Sequence, residues 1–320
     1  MIKGRYKKII NSFQAKKIIV FGDLMLDRYM LGEVDRVSPE APVPVVLARE
    51  EILTPGGAGN VAVNIAALGG DAFAIGLVGD DESAEKLIKD LKSKGINIEG
   101  VIITPDRPTT QKIRVIVGSQ QITRIDKENA EEISSPVKKK LTDFLSRHIK
   151  NTDAVIISDY AKGIITKDLV QKIILYSKRY KKPLVCDPKP RNALFFKGVT
   201  LITPNQKEAF AIAGINKIKE AGLFIKKRTV ANVLITQGAE GMTLFSGKKI
   251  KHFPAKAREV FEITGAGDTV VATIALSLAS GGRLEEAVDI ANHAAGIVVG
   301  KKRTATVSIR ELRKNFKNLY

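Results

Sequence analysis

The stretch Glu262-Ile263-Thr264-Gly265-Ala266-Gly267-Asp268-Thr269 holds the residue types from which an anion site with a proton acceptor can be built. Gly265 and Gly267 free the backbone for a tight turn. The apolar run Val270 to Ala279 contains nothing that breaks a helix before Gly281-Gly282. Gly265–Asp268 therefore reads as a turn entering a helix N-terminus, where unpaired amides and the helix dipole favour an anion. Asp268 adds a carboxylate at the same place. Amides for an anion beside a proton acceptor are two parts of a phosphoryl-transfer site. Asp is also a common helix cap, so spacing alone supports a purely structural Asp268 about as well. No Lys-Ser/Thr pair follows the glycines, which excludes a Walker loop.

A second glycine cluster, Pro55-Gly56-Gly57-Ala58-Gly59-Asn60, opens the small-residue helix Val61 to Leu68. It allows close approach of a ligand to the backbone, and Asn60 can hydrogen-bond a polyol. A cap in a glycine turn is the plainer reading. Polar residues recur where short apolar strands end. Asp23 and Asp27 follow Lys17–Phe21, and Asp159-Tyr160-Ala161-Lys162-Gly163 follows Ala154–Ser158. Asp187-Pro188-Lys189-Pro190-Arg191 follows Leu184–Cys186, and Pro204-Asn205-Gln206-Lys207-Glu208 follows Leu201–Thr203. Gln237 to Gly241 follows Asn232–Thr236. Each alone fits a turn. Together, at one end of one sheet, they mark a ligand crevice.

The elements that must position these residues alternate strand and helix, which implies a parallel sheet. Ala72–Val78 is a strand and Ser83–Lys94 an amphipathic helix. Asp35 to Val46 carries three prolines in alternation, which leaves an extended edge strand or strap. Val101–Thr104, Thr110–Val117 and Gln121–Ile125 form a β-rich insertion. Paired with the strap at 34–48, they make a small lid sheet bearing Arg36, Lys112, Arg114 and Arg124. These are either surface charges or phosphate contacts. Ser135-Pro136 starts a helix, with Ser as cap. Thr166–Tyr180, Leu284–Val299 and Ser308–Asn318 are further helices, and Thr243–Phe245 with Ile250–Phe253 an antiparallel pair.

The chain has 320 residues, enough for a sizeable core, with 44% hydrophobic residues and a mean hydropathy near zero. No apolar run is long enough to span a bilayer, and the basic N-terminus has no signal-peptide core. The one cysteine, Cys186, excludes an intrachain disulfide and a cysteine-rich zinc site. A cytoplasmic location is expected. The net charge is +18. Its lysines are scattered, no nucleic-acid-binding pattern occurs, and Trp is absent. A lysine-rich solvated surface, with no nucleic-acid or membrane partner, fits better.

Gly56-Gly57-Ala58-Gly59-Asn60 and Thr264-Gly265-Ala266-Gly267-Asp268, in this order and spacing, resemble the two signatures of the ribokinase-like (PfkB) sugar kinases. The resemblance runs from about Lys17 to Leu312. It implies an α/β, ribokinase-like three-layer sandwich with a central, mostly parallel sheet and a small β lid. The whole of 1–320 would be one kinase domain, its lid inserted from about 28–50 and 100–127. Several stretches are similar to the heptose 7-phosphate kinase branch: Gly22-Asp23 with Leu26 to Tyr29, Arg36 to Val45, Gln120-Gln121 with Arg124 to Asp126, Ser158 to Gly163, and Asp187-Pro188-Lys189. That branch phosphorylates the 1-hydroxyl and serves ADP-heptose and lipopolysaccharide synthesis. The chain stops at Tyr320, so the nucleotidylyltransferase domain often fused to such kinases is not expected here. Another sugar or sugar phosphate (ribose, fructose, a fructose phosphate), or a non-catalytic sugar-phosphate sensor, are the alternatives.

Carried over, the resemblance makes Asp268 the general base and the amides of Gly265, Ala266 and Gly267 the anion hole. Asn205, Gln206, Lys207 and Glu208 serve the nucleotide phosphates, with Glu208 as candidate Mg²⁺ ligand. Thr236, Gly238 and Gly241 fit the nucleotide edge, and Asn292 the base pocket. Asp27, Gly57 and Asn60 fit the sugar hydroxyls. Arg114, Arg124, Lys162, Lys189 and Arg36 are candidates for the substrate phosphate. ATP and Mg²⁺ are the implied cofactors, with a monovalent cation in some relatives. Glu262 stands where many members carry Asp, and a longer carboxylate there would shift that cation site. A homodimer joined through the lid is expected.

Overall fold

The computed structural model describes residues 2–257, 263–301 and 305–318. Along these the chain runs α1 (Ile2–Asn11), β1 (Lys17–Gly22), β2 (Leu24–Val37), β3 (Pro44–Gly57), α2 (Ala58–Ala67), β4 (Asp71–Gly79), α3 (Glu82–Ser93) and β5 (Asn97–Thr104). It continues through β6 (Thr110–Val117), β7 (Gln120–Lys127), α4 (Ser135–His148), β8 (Ala154–Ser158), α5 (Lys167–Arg179), β9 (Leu184–Asp187) and β10 (Leu201–Ile202). Then come α6 (Gln206–Ala213), α7 (Ile218–Thr229), β11 (Asn232–Thr236), β12 (Met242–Ser246), β13 (Lys249–Phe253), α8 (Ala266–Ala279), α9 (Leu284–Val298) and α10 (Ile309–Asn318).

The short apolar runs become the strands of a nine-stranded sheet in the order β13-β12-β11-β10-β9-β8-β1-β4-β5. Pairing is parallel from β5 across to β11 and antiparallel for β12 and β13. Successive side chains of a strand point to opposite faces, and both faces here are covered. Ile18 and Val20 of β1, with Ile156 of β8, pack with Val61 and Ile65 of α2 and Ala272 and Ile274 of α8. Ile19 and Phe21, with Val155 and Ile157, pack with Leu141 and Leu145 of α4 and Leu169 and Ile173 of α5. Burial on both faces is why these strands are continuous apolar runs rather than alternating ones.

A second sheet has the order β3-β2-β6-β7. It is the lid the β-rich segments led one to expect, with two differences of extent. Val101–Thr104 belongs to β5, the parallel neighbour of β4 at the edge of the main sheet, and not to the lid. An apolar run alone does not say which sheet receives it. The other difference lies at β2, which begins directly after Asp23. Asp27 therefore rides on a lid strand, opposite Thr54 and Lys112, rather than at the end of β1. Pro44 and Pro55 lie on β3, an edge strand, where a missing N–H disturbs no inner ladder.

Helix starts also differ in detail. Ser134, not Ser135, occupies the cap of α4, without a side-chain cap bond. The polar segment after β10 forms two helices, because Gly214 ends α6 in the left-handed conformation and α7 follows. The basic N-terminus forms α1, whose Tyr6 hydroxyl donates to Asp289 at 2.8 Å. No helix among the described residues is long and apolar enough to cross a membrane.

The loop after β8 is tied down from two sides. Asp23, only 4% exposed, accepts the amides of Tyr160 (2.7 Å) and Lys162 (3.3 Å) on Oδ2. Asp159 accepts the amide of Ala161 at 2.8 Å. Gly163 closes the loop at φ 87°, where a Cβ would stand 1.7 Å from the Glu131 carbonyl oxygen.

Burial pushes the Asp23 carboxyl up to about 7, and Asp159 nearby adds to this, while the Tyr160 and Lys162 amides oppose it. A free Asp titrates near about 3.9. The folded state therefore holds the proton more tightly than the unfolded chain. The stability this contributes is complete below about pH 4 and is lost as pH rises to about 7. Asp23→Asn keeps an acceptor and cannot ionise. Urea unfolding at about pH 5 and about pH 8 should show the stability gap moving in favour of the variant by roughly 1–3 kcal/mol. A gap independent of pH would show that Asp23 does not titrate in this window.

Candidate active site

The Thr264–Thr269 turn enters α8 as its residue types suggest. Gly265 caps the helix at φ 83°, a left-handed conformation that glycine adopts without strain. The Ala266 amide is used within the turn, donating to the Ile263 carbonyl at 3.2 Å. The amides of Gly265 and Gly267 have no acceptor among the described residues, and Gly267 faces open space. A helix N-terminus with free amides is an anion site.

Asp268 lies in the first turn of α8 and is 5% exposed. It does not cap its own helix. Its Oδ2 accepts from Asn60 Nδ2 at 2.6 Å and its Oδ1 from the Tyr160 hydroxyl at 3.0 Å. Asn60 comes from the first turn of α2, where Gly57 at φ 55° lets the chain turn out of β3. Asn64, one turn on, donates to the Asn60 carbonyl (2.9 Å) and accepts from the Thr269 hydroxyl (2.8 Å). Burial pushes Asp268 up to about 6, against the Asn60 and Tyr160 bonds, which favour the ionised form.

Beside Asp268 opens a cleft of about 140 Å³ whose walls include Lys189, Asn205, Glu208, Thr236, Gly265 and Gly267. These are residues the sequence placed at strand ends and at the glycine turn. Asn205 and Glu208 form a capping box on α6: Asn205 Oδ1 accepts the Glu208 amide (3.0 Å), and Glu208 Oε2 accepts the Asn205 amide (2.9 Å). Glu208 Oε1 pairs with Lys189 Nζ at 2.5 Å. Burial alone would lower the Lys189 pKa, but Glu208, with Asp187 and Asp159, raises it and keeps the ammonium charged.

Three further wall residues, Tyr160, Asp187 and Thr203, had no role assigned from sequence. The available signal was their place at the ends of β8, β9 and β10. Thr203 donates to Asp187 Oδ1 at 3.1 Å. Burial, and next the charge of Glu208, push Asp187 up to about 8. Two carboxylates that repel each other in a cleft suit a divalent cation. No group of three or more His, Cys, Asp or Glu suited to a metal occurs among the described residues. Mg²⁺ is commonly held in this way, by one or two carboxylates together with substrate phosphates.

Other expected residues lie elsewhere. Gln206 and Lys207 occupy the first turn of α6 beside the cleft wall. Gly238 (φ 57°) faces open space, whereas Gly241 (φ 98°) lets the chain pass Phe253, whose carbonyl oxygen would be 2.1 Å from a Cβ there. Asn292 is buried on α9 and donates to the Pro254 carbonyl at 2.7 Å, so it anchors the segment that leaves β13. Glu262 lies outside the described residues.

On the lid side, Asp27 Oδ1 accepts from Arg114 Nη1 at 2.8 Å. Arg114 and Arg124 are opposed across β6 and β7. The Arg114 side chain is 14% exposed, while that of Arg124 is 50% exposed and pairs with Asp126 at 2.9 Å. Lys162 Nζ pairs with Glu128 at 2.6 Å. Arg36 lies near the far end of β2, opposite Val45. The structure thus brings Arg114 together with Asp27, and Lys189 together with Glu208, while Arg124 and Arg36 stand outward. A larger groove of about 480 Å³ lies beside α5, with Lys167, Lys178, Phe195 and Lys197 in its wall. It contains no carboxylate or imidazole and is not the centre of the chemistry.

Comparison with known proteins agrees with this geometry. Residues 15–311 match the pfkB family of carbohydrate kinases. The bifunctional protein HldE of Sulfurimonas denitrificans is 42% identical over 313 residues, 96% of this chain and 65% of that protein. The HldE of Geobacter sulfurreducens is 40% identical over 305 residues, 93% of this chain and 62% of that protein. The chain thus spans a little under two-thirds of the length of these relatives. The solved ribokinase of Arabidopsis thaliana, complexed with ribose and ATP, superposes with a TM-score of 0.76 at 20% identity, covering 95% of this chain and 99% of that one. Phosphofructokinase-2 of Escherichia coli superposes with a TM-score of 0.77 at 20% identity, covering 96% and 99%. The fold is therefore the ribokinase-like α/β sandwich expected from the glycine signatures. A match over this span makes the chain a member of the pfkB family of carbohydrate kinases, a sugar-directed phosphotransferase.

Proposed function

We propose that the chain transfers the γ-phosphoryl group of ATP to the 1-hydroxyl of D-glycero-D-manno-heptose 7-phosphate, giving the 1,7-bisphosphate used for ADP-heptose and lipopolysaccharide core synthesis. The observation that carries the reading is Asp268, a buried carboxylate set at a helix N-terminus beside free glycine amides. The substrate reading rests on the stretches Arg36 to Val45 and Ser158 to Gly163, and similarity to HldE proteins supports it.

In this reading residues 1–320 work as one kinase unit in the cytoplasm. The sugar lies between Asp27, Gly57, Asn60 and the lid. Its hydroxyl proton passes to Asp268, and the hydroxyl oxygen bonds to the γ-phosphorus. The bond from that phosphorus to the β,γ-bridging oxygen breaks, and ADP leaves with the electron pair. The amides of Gly265 and Gly267 face the charge on the transferred group. The Ala266 amide, engaged in the turn, takes no part. Glu208, with Asp187 beside it, would hold Mg²⁺, which when bound offsets phosphate charge. Lys189 stands at the same end of the cleft. Arg114 and Lys162, each paired with a carboxylate, are the nearer cations for the phosphate already on the sugar.

A coupled ADP-release assay with ATP-Mg²⁺ compares heptose 7-phosphate with ribose, fructose and fructose 6-phosphate. Strong preference for the heptose phosphate is expected. Turnover of another sugar alone would overturn the substrate, and no turnover at all would favour a sensor.

Asp268 must be ionised to accept the proton, so kcat/KM should rise as pH increases through about 6. Asp268→Asn should cut kcat by about 10²–10⁴-fold. Near-normal turnover in this variant would remove Asp268 as the base.

The lid also joins two copies in this reading. Among the described residues its edge strands β3 and β7 are unpaired on their outer sides, and Val34, Leu47, Ile122 and Ile125 are exposed large apolar residues on it. Light scattering should give a dimer at micromolar concentration, and a monomer would exclude this arrangement.

A further inference from the structure

The carboxylate of Asp268 is not held by Asn60 alone. The Tyr160 hydroxyl donates to its other oxygen at 3.0 Å. Tyr160 sits on the loop tied down by Asp23 and Asp159, with Ala161 at φ 58° beside it. The Lys189 ammonium lies 5.0 Å from the centroid of the Tyr160 ring and pairs with Glu208. The backbone of Tyr160 is thus fixed by a buried carboxylate and its ring is covered by a cation. Its one polar atom is aimed at the acid of the glycine turn.

We propose that Tyr160 is a positioning residue for phosphoryl transfer: its hydroxyl holds the Asp268 carboxylate ionised and in the orientation that leaves a lone pair free for the substrate hydroxyl. The proposal rests on Asp268 being the base. An ionised carboxylate has about four lone-pair sites. Asn60 occupies one on Oδ2 and Tyr160 one on Oδ1, so turning the carboxyl group breaks both bonds. Either donor alone would fix one oxygen and leave the other to rotate toward any competing donor.

The electrostatics agree. Burial raises the pKa of Asp268, while the bonds from Asn60 and Tyr160 lower it. Around the carboxylate stand Asp27 from β2, which raises it further, and Lys189 from the segment after β9, which lowers it. Asp187 at the end of β9 and Glu208 on α6 are the other charged groups of the cleft. Burial, and then the charge of Asp268, lift the Tyr160 phenol well above its ordinary range. Tyr160 therefore stays protonated, and it acts as a donor rather than as a second base.

Tyr160→Phe removes the donor and keeps the ring over which Lys189 lies. Two readouts apply to the full chain. One is steady-state kinetics with ATP-Mg²⁺ and the sugar phosphate. The other, which needs no sugar, is a carbon-13 carboxyl NMR titration of Asp268, assigned by the signal lost in Asp268→Asn. The expected result is a kcat lower by about ten- to a hundredfold. Both KM values should change by less than about threefold. The Asp268 titration and the acidic limb of kcat/KM should both move to higher pH. An unmoved titration overturns the proposal, whether kcat is retained or falls, because a fall alone reports a structural role. If Tyr160→Phe does not fold, fluorotyrosine at position 160 tests the same bond. Its more acidic phenol is a stronger donor and should move the Asp268 titration to lower pH, and no movement overturns the proposal. Normal turnover in Asp268→Asn would instead remove the base itself, whatever Tyr160→Phe does.

Discussion

A carboxylate taken out of water must find donors, and the way Asp268 finds them organises the rest of the site. An isolated buried charge is far more expensive than a hydrogen-bonded one. Asp268 receives one donor from α2 and one from the loop after β8, so the helix that carries the acid is locked to two distant parts of the chain. The α2 side closes on itself. Asn60 is bonded by Asn64, Asn64 by Thr269, and Thr269 is the neighbour of Asp268 on α8. This polar ring lies between two helices rich in small residues, where backbones approach closely enough for short side chains to meet. On the other side, Tyr160 is fixed through its own amide by Asp23, at the end of the neighbouring strand β1. One acid thus sets the spacing of α2, α8 and two adjacent strand ends.

The same end of the sheet gathers more negative charge than a resting protein would tolerate without compensation. Asp27, Asp187, Glu208 and Asp268 all stand in or beside the cleft, within a chain whose net charge is +18. Three devices compensate. Backbone amides bind Asp23 and Asp159. Cations pair with Asp27 and Glu208. Burial favours the neutral form of Asp187, and Asp268 has the donors Asn60 and Tyr160. Lys189, which lines the cleft, is thus committed to Glu208, and Arg114 on the lid to Asp27. In the proposed reading, a phosphate reaching Arg114 or Lys189 would exchange one anion for another rather than meet a free charge. Such an exchange gives less affinity than filling an empty cationic pocket.

Much of this site could be read from sequence, for a definite reason. In a parallel sheet covered on both faces, every buried strand is an apolar run, and the polar residue that ends the run stands at the ligand edge. Asp159, Lys189, Asn205 and Glu208 stood out in that way, whereas the place of Thr236 came only with the family resemblance. The glycine turn at Gly265 was legible because few residues accept its left-handed conformation. What failed to show depends on contacts distant in sequence. Asn292 is a polar residue on a small-residue helix, and only the nearness of the Pro254 carbonyl decides that it anchors a strand exit. Whether Val101–Thr104 joins the main sheet or the lid is set by its partner β4, not by its own pattern. Helix α1 goes unseen because part of what holds it comes from Asp289 and Phe316, near the other end of the chain. Tyr160 lies within Ser158 to Gly163, but no periodicity marks a phenol as the partner of an acid 108 residues away.

The segment Asp23 to Asp27 ties the lid to the carboxylate of Asp268. Asp23 binds the amide of Tyr160, whose hydroxyl holds Asp268. Four residues on, Asp27 has already entered the lid strand β2, where Arg114 of β6 pairs with it. The charge of Asp27 acts on both Asp268 and Tyr160, disfavouring ionisation of each. The field on Asp268 therefore depends on where β2 stands. Arg114, by pairing with Asp27, offsets that charge. The lid pair Asp27–Arg114 and the carboxylate of Asp268 are thus linked electrostatically through the root of one strand.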